Sequence, residues 1–491
     1  MFEIKPIAFF TVPVILVMLG CSGLPPLIGP GIKPAAAFSE APASPAAPVA
    51  PLGGNWWRLF NDQHLDTLIE TALTNNMELA GAEARLAKAR AAFHAALAAL
   101  HPETALSGIY SRTRPSQESA QPYQVENSGA AVNGLELKPR EHSQYALSHP
   151  ISYEFDLFGR LRHNRNAAHA EVAAGEADRC AARLLLTTQV AASWYQLIST
   201  DRHMQAARKS AALADEALAL QQSRFESGIA AADSMIPFEH AAADAHSLAS
   251  RLAATRARQI HALAELCGFP DGRLPVDCSG QVLPAVPRVP SGVPAAVLER
   301  RPDIISKTAK LQAAAERIGA AHAAFFPQIS LTGNFGFQSE DLKNLISGGA
   351  RTWSFSPQIS LPLFDGGRNR AALESAQSAY AAAAASYRGQ VYTALREVDD
   401  ALSDGRELDM QIRAADTALA SARRNLISVS DRFEQGFVTK NEVISARMAV
   451  IDRECARTVL QGEHLLAEIA LIQALGGGWS VPEKTHARHR F

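Results

Sequence analysis

The stretch FSPQISLPLFDGGRNRAA, Phe355 to Ala372, decides the fold because it joins an alternating apolar and polar segment to an alanine-rich one. An earlier stretch, YALSHPISYEFDLFGRLRHNRNAA from Tyr145 to Ala168, has the same order of features. The sequence RFEQG at Arg432 to Gly436 likewise echoes RFESG at Arg224 to Gly228, and both echoes are offset by about 208 residues. The chain is therefore a duplicated unit.

The alternating segments predict strands with one apolar and one polar face. In the second copy Trp353, Phe355, Ile359, Leu361 and Leu363 alternate with mostly small polar residues. Two such strands in each copy give four strands per chain. They fit either the half-buried sheet of a soluble sandwich or a lipid-facing barrel with a wet lumen, and the periodicity alone leaves both open.

Two stretches without proline, from Arg160 to Arg224 and from Arg368 to Phe433, are rich in helix formers and predict very long helices. At 1.5 Å per residue each would be about 100 Å long, more than a globular core can cover. A seven-residue apolar seam in the second stretch predicts a partner helix. Its members are Ile412, Ala415, Leu419, Ala422, Leu426, Val429 and Phe433, and Ile444, Met448, Ile451 and Cys455 continue the rhythm in the returning helix.

Four strands cannot close a sheet across a membrane, where an open edge would leave backbone groups without hydrogen bonds. The smallest spanning barrels have about eight strands, so at least two chains must contribute, and three would give a pore of about twelve strands. The predicted fold is therefore α+β. A transmembrane β-barrel, with four strands from each chain of a trimer, continues into a periplasmic barrel of helical coiled coils.

The N-terminus predicts export and lipidation. Residues 1–20 hold an apolar run shorter than the roughly 18 residues of a spanning helix and are predicted to be a signal peptide. Cys21 follows Gly20 in a segment similar to a bacterial lipobox, although Met18 replaces the usual leucine. An ordinary cleaved signal with an incidental cysteine is the alternative. Acylated Cys21 would begin a linker, residues 21–54, whose Pro- and Ala-rich composition predicts an unpacked tether.

Composition argues against nucleic-acid binding and catalysis. Lys plus Arg (47) nearly balance Asp plus Glu (49), so the basic surface that phosphate recognition needs is absent. The sequence contains no glycine-rich phosphate loop, nucleophile elbow or metal-ligand spacing, so we predict no enzyme activity, cofactor or metal. Cys267 and Cys278 flank a Pro- and Gly-rich turn and could pair in an oxidising compartment.

The chain from Asn55 to Trp479 resembles the TolC-like outer-membrane factors, and more narrowly the NodT-type lipoproteins of resistance-nodulation-division pumps. The resemblance implies a homotrimer that works with a periplasmic adaptor protein and an inner-membrane resistance-nodulation-division transporter. Ser22, where Asp would signal retention in the inner membrane, favours the outer membrane. The stretches that carry the resemblance are WWRLFNDQHLDTLIETAL (Trp56 to Leu73), LERRPDI (Leu298 to Ile304), FFPQISLTG (Phe325 to Gly333), PLFDGGRNRA (Pro362 to Ala371) and RFEQG (Arg432 to Gly436).

The repeat and the resemblance together give the predicted domains. Residues 55–268 form the first efflux repeat, residues 269–293 a Pro-rich linker, and residues 294–479 the second repeat. Residues 480–491 are a C-terminal tail.

In the resembling family the turns that follow the long helices form the periplasmic tip that meets the adaptor. Each glycine of the two turns would supply the positive φ that ends a helix at low cost. The contact candidates are Arg224, Phe225 and Gly228 in the first copy and Arg432, Phe433 and Gly436 in the second.

Glu442 matches a family position at which acidic residues line the narrowest ring of the closed tip. Ser445 stands where the family often has Asp, so the ring would carry less negative charge here. A solvated glutamate on a helix surface is the alternative for Glu442.

The resemblance predicts a passive outer-membrane channel for substrates that a transporter and an adaptor deliver. A lipid-anchored periplasmic coiled-coil scaffold without a pore is the alternative. The alternation of the strands distinguishes the channel from the scaffold.

Overall fold

The computed structural model describes residues 38–40, 54–114, 141–287 and 300–478, and the chain divides into two compact units. Within the described ranges the first unit contains residues 90–170 and 312–382. The second unit contains the rest. Each repeat contributes to both units, so the division into units cuts across the duplication. Cys21, the signal peptide and residues 480–491 lie outside the described residues.

The first unit holds one antiparallel sheet. Its strands are β1 (Glu103–Thr104), β2 (Ser107–Thr113), β3 (His142–Phe155), β4 (Gln328–Ser339) and β5 (Arg351–Ser360). Both β1 and β2 pair with β3, which pairs with β4, which pairs with β5. In this register Phe155 lies opposite Ile329, and Gln328 opposite Ser360. Among the described strands, the sheet ends at β1 and β2 on one side and at β5 on the other, and these are its two open edges.

The first predicted strand is interrupted, so four strand positions hold five strands. Pro150 lies in β3 opposite the gap, and its carbonyl accepts a hydrogen bond of 3.3 Å from the Ala105 N–H. Because proline has no N–H to return, one bond of the ladder is missing there. The end of β5 also differs from the prediction, since Leu361 and Leu363 follow the strand rather than belong to it.

The long helices agree closely with the sequence prediction. The helices are α1 (Gln63–Asn75), α2 (Met77–Ala98), α3 (Arg160–Glu226), α4 (Ile236–Leu266), α5 (Pro302–Ala323), α6 (Arg368–Glu434) and α7 (Lys440–Ala474). Both α3 and α6 contain 67 residues. The α+β content is confirmed. None of the helices in the described ranges is both long and apolar enough to cross a membrane.

The main core belongs to the second unit and surrounds α3. A 3₁₀ turn at Trp56–Phe60 and helix α1 cover the fully buried Trp194 and Tyr195. The Asp62 carboxylate caps α1 by accepting from the backbone N–H of His64, and it also accepts from the Trp194 indole N–H at 2.8 Å. One side chain thus fixes both the start of α1 and its place on α3.

One hydrogen bond of the second unit occurs in both repeats. The Asn76 side chain donates to the Leu266 carbonyl at 3.0 Å, and the Arg301 side chain donates to the Ala474 carbonyl at 3.1 Å. Arg301 stands 225 residues after Asn76, and Ala474 stands 208 residues after Leu266. The same hydrogen bond therefore ends the last helix of each repeat.

The connection between the two strands of a repeat accounts for the two offsets. From His101 to Ile151 the first repeat spans 50 residues, whereas from Phe326 to Ile359 the second spans 33. Residues before this connection are therefore matched by an offset of 225, and residues after it by an offset of 208.

Part of the linker is packed, which corrects the prediction of an unpacked tether. Phe38, only 6% exposed, lies in an apolar cluster with Val398 of α6 and Leu471 of α7. The Glu40 backbone N–H donates to Asp399 at 3.3 Å, and the Arg406 guanidinium donates to the Glu40 carboxylate at 2.7 Å. One apolar side chain flanked by two polar contacts holds this stretch on the helix pair.

Cys267 and Cys278 are both free, so the disulfide that their positions allowed is not formed. Each buried thiol has a different partner. The Cys267 thiol donates to the Leu68 carbonyl at 3.7 Å, and the Cys278 sulfur accepts from the Arg256 guanidinium at 3.0 Å. Burial raises the pKa of Cys267 to about 11, which keeps its thiol protonated.

Candidate functional site

The turn between α3 and α4 ends its helix with a left-handed glycine. Gly228 has φ 71°, and its N–H donates to the Phe225 carbonyl at 2.9 Å. The next N–H, of Ile229, donates to the Arg224 carbonyl at 2.8 Å. This pair of bonds is a Schellman cap, which satisfies carbonyls that the end of a helix leaves free.

The turn between α6 and α7 repeats this geometry. Gly436 has φ 82°, and its N–H donates to the Phe433 carbonyl at 2.9 Å. The Phe437 N–H donates to the Arg432 carbonyl, also at 2.9 Å. The predicted positive φ is confirmed at both glycines, so both RF-x-x-G stretches are helix ends of one design.

Each turn presents exposed apolar side chains. Ile229 is 70% exposed and its counterpart Phe437 is 72% exposed. Phe225 and Phe433 are also exposed, one turn earlier. Sequence reasoning named the two phenylalanines but missed Ile229 and Phe437. Their signal was their place directly after the glycine, where a Schellman cap usually packs an apolar residue on the helix.

The second turn starts α7 with a capping box. The Glu442 carboxylate accepts hydrogen bonds from the backbone N–H and from the hydroxyl of Thr439, each at 3.1 Å. This backbone hydrogen bond lowers the pKa of Glu442 below its ordinary value. Glu442 and Ser445 are both exposed. Glu442 thus caps its helix, a role that the TKNE sequence signals and that sequence reasoning missed.

The first turn is closed differently. A 3₁₀ turn at Ala232–Met235 precedes α4, and Ser234 donates to the Ala231 carbonyl at 2.6 Å. The buried Gln221 of α3 donates to the same hydroxyl at 2.7 Å. The two turns therefore share the end of the long helix but not the start of the returning one.

An ion pair joins the two repeats near these turns. Lys440, the first residue of α7, lies 2.7 Å from Glu216 of α3. Its hydrogen bond lowers the pKa of Glu216. Helix α7 therefore contacts α3 of the other repeat as well as its own partner α6.

The predicted seam between α6 and α7 is confirmed. Leu419 is buried, and the other members that precede Phe433 are half-buried while most residues between them are exposed. Two ion pairs flank the seam, Arg423 with Glu454 at 2.6 Å and Arg457 with Asp416. Phe433, the last member, is exposed because the helix ends there.

The LERRPDI stretch places a buried arginine between three helices. Arg301 lies 2.6 Å from Asp303 and 2.7 Å from Glu397 of α6, besides its bond to the end of α7. Burial disfavours its charge, but these carboxylates raise the pKa of Arg301 above its ordinary value. The motif holds helices together, and no sequence pattern predicted this.

The edge strand β5 carries large apolar side chains on its surface. Trp353, Phe355 and Ile359 are all largely exposed in the single chain.

In the described part of the chain, no group of three His, Cys, Asp or Glu side chains is arranged to hold a metal.

The chain is similar to known proteins along most of its length. The sequence profile of a family described as outer membrane efflux protein matches residues 68–268 and 293–477. Outer membrane protein OprJ of Pseudomonas aeruginosa is 31% identical over 429 residues, which cover 87% of this chain and 86% of that protein. Cation efflux system protein CusC of Escherichia coli is 30% identical over 86% of this chain and 88% of its own length.

Solved structures agree with this similarity. The outer-membrane channel OprN matches with a TM-score of 0.80 and 27% identity, covering 93% of this chain and 99% of its own. The Campylobacter jejuni CmeC outer membrane channel matches with a TM-score of 0.84 and 24% identity, covering 94% and 95%. The second match concerns the fold alone.

Proposed function

Because the chain belongs to the outer membrane efflux protein family and is an outer-membrane channel component of an efflux system, we propose that it works as a trimeric, passive duct. Substrates would pass through it without chemical change. An inner-membrane resistance-nodulation-division transporter would supply the energy, and a periplasmic adaptor would join the two.

The observation that carries this proposal is the open sheet of the first unit. Its edge strand β5 bears exposed Trp353, Phe355 and Ile359, and neither edge of the sheet pairs with another strand of the described residues. A sheet in lipid must close, and the four strand positions of one chain are too few. Three copies would supply about twelve, enough for a barrel with a water-filled lumen.

The two helix-end turns support a role for a different kind of surface, one that binds protein. Ile229 and Phe437 stand exposed next to rigid caps at Gly228 and Gly436. Around a trimer such turns would offer six apolar ends to an adaptor. Arg224, Phe225, Arg432 and Phe433 would flank them.

Two further sites complete the proposal. Glu442, exposed at the start of α7, would contribute a negative charge to the constriction of the closed duct, with Ser445 one turn away. Acylated Cys21 would add a lipid anchor to the barrel. Mass spectrometry of the mature N-terminus tests the anchor, and an unmodified cysteine would contradict it.

Single-channel conductance of the detergent-extracted protein tests the duct. We expect an oligomer that resists dodecyl sulfate until heated and that conducts ions in a planar bilayer. An oligomer that stays attached to membranes but never conducts would favour the alternative, a lipid-anchored coiled-coil scaffold without a pore.

A further inference from the structure

A cavity of about 310 Å³ lies within the second unit. Its lining comes from the 3₁₀ turn at Trp56–Phe60, from α1, α2 and α3, and from the residues that follow α7. Pockets that bind small molecules typically have volumes of about 300–1,000 Å³, so this cavity is large enough for a small ligand. Nothing in the proposed duct uses it.

Part of the lining is aromatic and aliphatic. Trp56 and Trp57 are 2% and 3% exposed, and their rings meet edge to face with centroids 6.1 Å apart. Leu73, Leu79 and Leu184 extend this apolar surface. A flat apolar group placed here would leave water and pack against large side chains, both of which favour binding.

The charged part of the lining is mainly positive. Arg179 and Arg183 stand four residues apart on α3, so they are neighbours on one face of the helix, where like charges repel each other. Arg179 interacts with the adjacent Cys180 thiol, but in the described residues neither guanidinium forms an ion pair. Glu83 of α2 is the one carboxylate among the lining residues. An anion bound beside the two arginines would therefore offset an excess of positive charge.

The two indole N–H groups of the lining are not equally satisfied. The Trp56 N–H donates to the Thr187 hydroxyl at 3.3 Å, and that hydroxyl donates to the Leu184 carbonyl at 2.9 Å. The Trp57 N–H is buried without a hydrogen-bond partner among the described residues. Buried donors that lack an acceptor are rare because they cost free energy. The lining is thus rich in donors and short of acceptors.

We propose that this cavity binds a small aromatic carboxylate. The ring would lie against Trp56 and Trp57, and the carboxylate would lie beside Arg179 and Arg183. A guanidinium can donate two parallel hydrogen bonds to one carboxylate, and such charge-assisted bonds are stronger than those of a neutral group. The site does not rest on the proposed function, because this ligand would bind the chain rather than pass through it.

Binding would stabilise a place where the two repeats meet. The cavity is lined by α3 of the first repeat and by Gly476 and Gly477, which follow α7 of the second. The approach is close, since a Cβ added at Gly477 would lie 2.2 Å from the Leu184 side chain. A ligand that binds only the folded chain raises its unfolding temperature once its concentration exceeds the Kd.

Isothermal titration calorimetry of the detergent-extracted protein tests the class of ligand. The probe is 2-naphthoate, and its neutral analogue 2-naphthamide is the control for partition into detergent micelles. We expect the acid to bind about tenfold more tightly than the amide, and to raise the unfolding temperature where the amide does not. Equal affinities for the two probes, or binding of neither, would overturn the proposal.

Three variants assign the contacts. Arg183→Gln removes one guanidinium of the lining and should weaken binding of 2-naphthoate about tenfold. Arg208→Gln removes an exposed arginine of α3 that does not line the cavity, so it should bind like the parent protein. Trp57→Phe keeps an aromatic ring but removes the N–H and should also weaken binding. Full affinity in Arg183→Gln, or an equal loss in Arg208→Gln, would contradict the site, and full affinity in Trp57→Phe would exclude the indole N–H from it.

A native cysteine reports the position of the ligand. Cys180 lines the cavity, whereas Cys455 lies on α7 and does not. Both thiols are free and half-buried, and burial raises the pKa of each. At about pH 9, where part of each thiol is ionised, 2-naphthoate should slow alkylation of Cys180 and leave Cys455 unchanged, as measured by mass spectrometry of the peptides. Equal slowing at both cysteines would mean that the probe does not act in the cavity.

The same labelling shows whether the cavity is accessible. Without ligand, Cys180 should react faster than Cys278, which is only 3% exposed. If the two react equally slowly, another part of the chain fills the cavity and the proposal fails. The proposed duct is tested by conductance, so failure of the ligand site would leave it standing.

Discussion

Helices α3 and α6 have the same length and end in the same motif, yet they are covered very differently. On α3, Trp194 and Tyr195 are completely buried beneath helix α1 and the 3₁₀ turn before it. Their counterparts on α6, Leu402 and Ser403, are only half-buried. Where α3 has the buried Ile198, α6 has the exposed Arg406.

In the described residues, the linker contributes to the cover of α6. Phe38 contacts Val398 and Leu471, whose counterparts Val190 and Leu263 belong to the main core around α3. Among the described residues, Phe38 thus packs where the first repeat has part of its main core. Duplication thus produced two helix pairs of equal length whose long helices are buried to different extents.

The largest expected effect is on the covered helix. Trp194→Ala removes a fully buried indole and its hydrogen bond to Asp62, which should lower the free energy of unfolding by about 3–5 kcal/mol. The urea midpoint of the detergent-extracted protein measures it. Leu402→Ala at the matching place on α6 should cost less than half as much. Equal losses would mean that the two helices are equally covered.

The arginine between three helices comes next. Arg301→Met leaves Asp303 and Glu397 without their cation and should cost about 3 kcal/mol in the same assay. Asn76→Ala, at the equivalent position of the first repeat, loses one neutral hydrogen bond and should cost about 1 kcal/mol. If Asn76→Ala lowered the free energy of unfolding more than Arg301→Met does, the ion pairs of Arg301 with Asp303 and Glu397 would contribute nothing to stability.

The linker contact should respond locally. Phe38→Asp places a charge in the apolar cluster and should release the linker from α6 and α7, at a cost of about 2 kcal/mol. We expect faster amide hydrogen exchange at Glu40, whose N–H donates to Asp399, with little change in the global urea midpoint. Glu40→Gln weakens only an exposed ion pair and should leave exchange almost unchanged. Unchanged exchange in Phe38→Asp would refute the packed linker.

The helix-end turns should be sensitive to backbone conformation rather than to crowding. No atom lies within 4 Å of a Cβ added at Gly436, so Gly436→Val would not crowd its neighbours. Because Gly436 has a positive φ, the valine would strain the backbone and destabilise the turn by about 1 kcal/mol or more. Oligomers should still form, while binding of the adaptor in a pull-down falls. Gly405→Ala, within α6 and equally free of neighbours, is the control and should be neutral or slightly stabilising.

The smallest effect is expected at Glu442. The pKa of Glu442 is lowered in the folded protein. Its contribution to the free energy of unfolding is therefore complete above pH 4.5, the ordinary pKa, and is lost as the pH falls through the lowered pKa. Glu442→Gln keeps an acceptor for the Thr439 N–H but cannot titrate, so its stability should depend less on pH below 4.5.

Ion selectivity tests the constriction separately. Glu442→Gln should lower cation selectivity in a planar bilayer, and Ser445→Asp should raise it. If Glu442→Gln leaves selectivity unchanged, Glu442 is a helix cap and no part of the constriction.

Features that repeat along the chain could be predicted from the sequence. The long helices were placed to within two residues of their ends, and the strands, the seam of Leu419 and the positive φ of Gly228 and Gly436 followed from spacing and residue type. These are local properties, because a helix, a strand or a cap depends on residues a few positions apart.

Contacts between residues far apart in the chain could not be predicted in this way. Phe38 and Val398 are distant in sequence, as are Arg301 and Ala474, and no periodic pattern links either pair. The two free thiols show the same limit, since Cys267 and Cys278 are near in sequence but each is held by a partner elsewhere. Hydrophobic period and backbone preference act locally, so the order of residues was enough to specify the repeated elements. Which element covers which was set by the packed chain, because burial depends on the neighbours that folding brings together.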